Sequence, residues 1–125
     1  IIDDGKMLLA RRNLSSNMPG KWEFPGGKVE ANESLMEAII REIKEEFNWH
    51  VVECSKFGKW FFEYDELCII LQLMRLSLTT NQRYDNVDEW TSHDHISWFD
   101  SIGDIDLLGA DKDAAKEVIR ILKSK

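Results

Sequence analysis

Apolar residues are spaced differently in successive stretches of the chain, and the spacing predicts the elements. Lys6 to Arg11, KMLLAR, reads as a strand that pairs across an Asp4-Gly5 turn with the Ile1-Ile2 segment before it. Arg12 to Lys21 is polar and loop-like, with Pro19-Gly20 near its end. Trp22-Glu23-Phe24 is a short strand that Pro25-Gly26-Gly27 breaks. Beyond it the period lengthens: Leu35, Ala38, Ile39, Ile43 and Phe47 recur at helical spacing. They predict a helix with one apolar face, beginning near Glu33 with Asn32 as its cap.

Glu53 to Trp60 and Phe61 to Ser77 are rich in aromatic and β-branched residues and read as strands, with Tyr64-Asp65-Glu66 as a turn. His95 to Phe99 is a further short strand. Asp111 to Lys123 is a closing helix with Ala115, Val118, Ile119 and Leu122 on its inner face. Strands mixed with two separated helices imply an α/β fold with a helix on each side of a sheet. No repeat, low-complexity tract or linker divides the 125 residues, so one domain over 1–125 is expected. The chain opens on Ile rather than Met in what reads as the end of a strand, so that strand is expected to start before Ile1.

Composition narrows the class of partner. With 43 % hydrophobic and 31 % charged residues, the balance is that of a soluble globular protein. The 16 Lys and Arg against 23 Asp and Glu leave a net charge of −7, which repels nucleic-acid polymers and anionic membrane surfaces. No run approaches the roughly 18 apolar residues that span a bilayer, and Leu67 to Met74 is interrupted by Gln72. Cys54 and Cys68 lie in separate apolar stretches without metal-binding spacing and read as reduced core thiols, which implies a cytoplasmic setting. Trp22 and Phe24 read as packing residues. His93 and His95 lack a companion at ligand spacing and read as exposed or hydrogen-bonded side chains.

The acidity is concentrated locally. Between Gly26 and Val51 stand Glu30, Glu33, Glu37, Glu42, Glu45 and Glu46, against Lys28, Arg41 and Lys44. On a helix, Glu42, Glu45 and Glu46 share a face, and like charges at that spacing repel by about 0.2–0.5 kcal/mol per pair. A hard divalent cation seated over them would reverse the sign, and Mg²⁺ prefers oxygen ligands.

The spacing Gly27, five residues, Glu33, seven residues, Arg41-Glu42-Ile43, one residue, Glu45-Glu46, one residue, Asn48-Trp49 resembles the Nudix box. Asn48 stands where that pattern has Gly. Asn adopts the left-handed conformation readily, so the helix C-cap is expected to survive. Leu8 to Arg12, Trp22 to Gly27, Ile96 to Phe99 and Leu107 to Asp111 resemble the MutT branch of the family. The resemblance implies a Nudix α/β/α sandwich with a mixed sheet between helices. It implies attack of water on a nucleoside triphosphate to release nucleoside monophosphate and pyrophosphate, with Mg²⁺ as cofactor and Mn²⁺ as a substitute. Oxidised guanine or cytosine nucleotides are the implied substrates. A dinucleoside polyphosphate, a nucleotide sugar, or a nucleotide-sensing module without catalysis are the alternatives.

By the same resemblance, Glu42, Glu45, Glu46 and the Gly26 carbonyl are the implied metal ligands, and Glu42 or a neighbour orients or deprotonates the water. Arg41 would hold the carboxylates, with Glu33 as its partner. Arg12, Phe24 and Asp111 map to the positions that approach the base. Asp111 reads equally well as the N-cap of the last helix. Where the family often carries a further acidic residue this chain has Ser92, with Glu89 and Asp94 nearby.

Overall fold

A computed structural model describes residues 1–64 and 66–124 of the chain. Its strands are β1 (Ile2–Asp3), β2 (Lys6–Arg12), β3 (Trp22–Glu23), β4 (Val51–Tyr64), β5 (Leu67–Leu78) and β6 (His93–Phe99). Its helices are α1 (Leu35–Phe47) and α2 (Gly109–Lys123), with a short 3₁₀ turn at Val87–Glu89. β2 is the centre of a four-stranded antiparallel sheet. One edge pairs with β6, from Met7 opposite Phe99 to Arg12 opposite His93, and the other pairs with β1 and β3. Among the described residues, one isolated parallel bridge joins Trp22 to Leu107.

Met7, Leu8, Leu9 and Ala10 are all buried because β2 has a helix over each face. Side chains alternate across the strand. Leu8 and Ala10 meet Ile43 and Phe47 of α1, together with Trp49, Leu76 and Leu78. Met7 and Leu9 meet Ala115 and Val118 of α2, together with Leu107. This is the expected α/β sandwich. Each leucine so buried contributes about 1.5–3 kcal/mol of transfer free energy. The apolar stripe of α1 thereby fixes the rotation of the helix and the direction of its opposite, acidic face.

The start of α1 differs from the expectation. Ser34, not Asn32, is the N-cap: its side chain accepts from the Glu37 N–H while the Glu37 carboxylate accepts from the Ser34 N–H, a complete capping box. Asn32 instead takes a left-handed conformation, φ 63°, in the turn before the helix. At the other end the expectation holds. Asn48 is left-handed, φ 56° and ψ 40°, and its N–H donates to the Lys44 carbonyl.

β4 and β5 form a long antiparallel hairpin. The expected break between Trp60 and Phe61 does not occur, because β4 runs unbroken from Val51 to Tyr64, with register shifts between Val51 and Glu53 and between Lys56 and Gly58. Asp65, the centre of the expected turn, lies outside the described residues. One cysteine departs from expectation. Cys54 is half-buried and packs against the α1-side core, but Cys68 is exposed, because among the described residues β4 and β5 pair only with each other and leave positions far from α1 open to solvent. The two are unpaired thiols; Cys54 faces Leu76 in the register and Cys68 faces Glu63, well apart along the hairpin. Among the described residues no helix is long and apolar enough to cross a membrane.

Candidate active site

The acidic face of α1 is organised by one guanidinium. Arg41 Nε and Nη2 grip Glu33 through both carboxylate oxygens, at 2.7 and 3.0 Å, the bidentate geometry that suits arginine and not lysine. Its Nη1 reaches Glu42 Oε1 at 2.9 Å and Glu45 Oε2 at 3.2 Å, and Nη2 also donates to the Lys28 carbonyl at 3.0 Å. The hydrogen bonds from Arg41, then that from the Glu30 N–H, hold Glu33 down to about 2. Glu33, then Glu42, hold the Arg41 guanidinium firmly protonated. Part of the repulsion among the carboxylates is thus relieved from within the protein.

The loop before α1 lies directly against this face. A Cβ on Gly27 would come within 2.5 Å of the Glu42 carboxyl carbon, so a side chain here would push that carboxylate off its position. The Gly26 N–H donates to Glu46 Oε1 at 3.0 Å. Glu46 is 8 % exposed, whereas the Glu45 side chain is 60 % exposed. Adjacent in sequence, they point into different surroundings. Burial, with the charges of Glu23 and Glu42 adding to it, pushes Glu46 up to about 8 against the lowering effect of the Gly26 N–H.

Behind Glu46 lies a polar chain that sequence reasoning missed. His93, at the start of β6, is 2 % exposed and stacks on Phe47, ring centroids 5.0 Å apart. Its Nε2 is 2.7 Å from Glu23 Oε2, and its Nδ1 is 3.7 Å from Glu46 Oε2. Glu23 in turn accepts from Arg12 Nη1 through both oxygens, at 3.1 and 3.2 Å. Glu23, Glu46 and His93 form a group able to hold a metal ion. No local spacing links Glu23 to His93; the pairing of β2 with both β3 and β6 does.

The donors suit a hard divalent cation. Among the described residues, Glu42 Oε2, Glu45 Oε1 and Glu46 Oε2 carry no hydrogen bond after Arg41 and Gly26 have taken the other oxygens. Carboxylates with one uncommitted oxygen each are the ligand type Mg²⁺ takes, alongside water and phosphate. The acidic residues near Ser92 are committed elsewhere: Asp94 pairs with Arg11 at 2.8 Å, and Glu89 accepts from Asn48 and Asn86.

A cleft of about 240 Å³ opens beside the glycine loop, lined by Glu23, Phe24, Gly27, Leu73, Met74 and Asp111 among others. Asp111 Oδ2 accepts from the Phe24 N–H at 3.0 Å. Burial, aided by the charge of Glu23, pushes Asp111 up to about 6 against that hydrogen bond. Asp111 is not the helix cap, since Leu108 holds that position and Asp111 lies within the first turn of α2. The structure therefore brings Phe24 and Asp111 together on the cleft. Arg12 is not among its lining residues; its guanidinium meets Glu23 and the Asn17 carbonyl. Trp22 and Phe24 pack against the α2-side core, as expected. His95 is exposed beside Trp22.

Residues 1–118 match the NUDIX domain family. The chain is 47 % identical over 76 residues to an 8-oxo-dGTP diphosphatase of Proteus vulgaris, a stretch covering 61 % of this chain and 68 % of that protein. It is 56 % identical over 43 residues to a CTP pyrophosphohydrolase of Escherichia coli, covering 34 % of this chain and 32 % of the relative. The fold resembles that of the MutT NUDIX hydrolase from Burkholderia pseudomallei, with a TM-score of 0.67 and 23 % identity over 96 % of this chain and 90 % of that one.

Proposed function

The chain belongs to the NUDIX family, and on that premise we propose that it is a Mg²⁺-dependent nucleoside triphosphate pyrophosphohydrolase acting on oxidised guanine or cytosine nucleotides. The observation that carries the reading is the set of three carboxylates on one helix face, each keeping an oxygen uncommitted, beside a glycine loop and a cleft.

Glu42, Glu45 and Glu46, with the Gly26 carbonyl, would hold the cation. When bound, Mg²⁺ offsets the repulsion between carboxylates and triphosphate, polarises the phosphoryl oxygens and acidifies water. Arg41 fixes Glu42 and Glu45 by hydrogen bonds anchored on Glu33, so the carboxylates are aligned before substrate arrives. Glu42 orients the attacking water and accepts its proton. The bond broken lies between two phosphates, and nucleoside monophosphate and pyrophosphate leave. In the cleft, Asp111 has one oxygen held by the Phe24 N–H and the other left for the base. A carboxyl titrating near pH 6 can accept from an amino group or, when protonated, donate to a carbonyl. Cytosine and oxidised guanine offer such edges. A small nucleotide, not a nucleic-acid polymer, is the partner that this site and the acidic surface suit. Two unpaired thiols fit a cytoplasmic setting.

The relatives' names support this substrate class. The test is pyrophosphate release over a panel of 8-oxo-dGTP, dGTP, CTP, dCTP, a dinucleoside polyphosphate and a nucleotide sugar, with Mg²⁺ or EDTA. Mg²⁺-dependent release from a triphosphate, abolished by Glu45→Gln and Glu46→Gln, is expected. Faster cleavage of the polyphosphate or sugar, or binding without cleavage, would overturn the reading.

A further inference from the structure

His93 is buried to 2 % exposure, yet its two ring nitrogens have unequal surroundings. Nε2 lies 2.7 Å from Glu23 Oε2. The Glu23 carboxylate is gripped through both oxygens by the Arg12 guanidinium, so it accepts and Nε2 carries the hydrogen. Nδ1 is then a bare lone pair. It has no hydrogen-bond partner among the described residues, and it faces Glu46 Oε2 across 3.7 Å. At 3.7 Å even a protonated Glu46 is beyond hydrogen-bond reach of Nδ1; with the carboxylate ionised, the form that binds a metal, the two are facing acceptors, and a cation between them satisfies both. Two ligands about 2.1 Å from one ion lie roughly 3 to 3.7 Å apart, and this pair sits at the upper end of that range.

We propose that His93 Nδ1 is a nitrogen ligand to the divalent cation held by Glu46, so that the site favours a first-row transition-metal ion such as Mn²⁺, which accepts imidazole more readily, over Mg²⁺. The inference rests on the cation site proposed above and specifies its ion. Imidazole is a softer donor than carboxylate, and affinity at mixed nitrogen and oxygen sites rises along the first-row transition metals. Glu23 completes the arrangement found behind many metal-bound histidines: a carboxylate on the far nitrogen fixes the tautomer and ring orientation and raises ligand basicity. Arg12 holds that carboxylate, and the Phe47 ring holds the imidazole plane. Removing such an outer partner typically lowers metal affinity 10–100-fold, and Glu23→Gln is expected to do so for Mn²⁺.

The test is pulsed electron paramagnetic resonance on the Mn²⁺-loaded protein. Nitrogen-14 modulation of the manganese echo is expected, and it should become a nitrogen-15 pattern when only the histidines are labelled. The labelling needs no substitution and so does not depend on a variant folding. His93→Gln should remove the modulation and weaken Mn²⁺ binding at least about tenfold while changing Mg²⁺ binding less. Mn²⁺ bound without histidine nitrogen coupling would overturn the nitrogen ligand and leave the carboxylate site standing. Failure of Mn²⁺ and Mg²⁺ alike to bind would overturn both.

Discussion

Glu46→Gln removes the proton whose binding burial has altered most among the site carboxylates, and its effect on stability should depend on pH. Burial moves the group from an ordinary 4.5 to about 8, while in the unfolded chain it ionises near its ordinary value. Between those values the folded protein keeps a proton that the unfolded chain releases. The contribution of Glu46 to stability is therefore complete below about pH 4.5 and is lost as pH rises through about 8. At 1.36 kcal/mol per pH unit, the loss between pH 5 and pH 8 is roughly 3 kcal/mol. Glutamine has nearly the same shape and does not ionise. Its carbonyl can still accept from the Gly26 N–H, and its amide N–H can meet the unpartnered Nδ1 of His93. Urea unfolding in EDTA is the assay. With an m-value of about 1–3 kcal/mol/M, the variant's midpoint should gain roughly 1–3 M on wild type between those pH values. Saturating Mg²⁺ should stabilise wild type more than the variant, which keeps Glu42 and Glu45 but lacks the third carboxylate. Parallel pH profiles for the two proteins in EDTA would refute the reasoning.

Gly27→Ala puts a methyl within 2.5 Å of the Glu42 carboxyl group. The carboxylate can swing aside, so stability read by thermal unfolding should change little while turnover falls, because Glu42 is pushed off its position. Arg41→Lys keeps a charge but cannot hold Glu33 in a fork while reaching Glu42 and Glu45. Turnover should fall and the Mg²⁺ concentration for half-activity should rise in steady-state assays. Asp111→Ala leaves the Phe24 N–H without its acceptor and should shift preference among bases more than turnover of the best substrate. In wild type that preference should change as pH crosses about 6, where Asp111 titrates; equal losses on every nucleotide would refute its role at the base. Asn48→Ala forces a left-handed cap on alanine and should cost about 1–2 kcal/mol, with Asn48→Gly close to neutral in the same unfolding assay.

Much of the site was legible because helix geometry is local. The spacing of Arg41, Glu42, Glu45 and Glu46 places them on one stretch of α1 surface, and the observed bonds from Arg41 to Glu42 and Glu45 follow from it. The αL cap at Asn48 was legible for the same reason, as was the helix over each face of the sheet. The misplaced start of α1 was an error of reading, since the Ser34 to Glu37 capping box stands in the sequence. The missed exposure of Cys68 was different in kind, because an apolar strand does not say whether anything covers it.

By itself, then, the sequence determined which carboxylates share a helix face and which family the chain belongs to. Only the tertiary structure decided that Glu46 turns inward while Glu45 stays in solvent. It also decided that His93, 70 positions from Glu23, stands between Glu23 and Glu46, and that Asp111 reaches Phe24 across 87 positions. The period of a helix is set by its own backbone, but burial is set by what the sheet brings against it. Burial is what fixes which proton a carboxylate keeps.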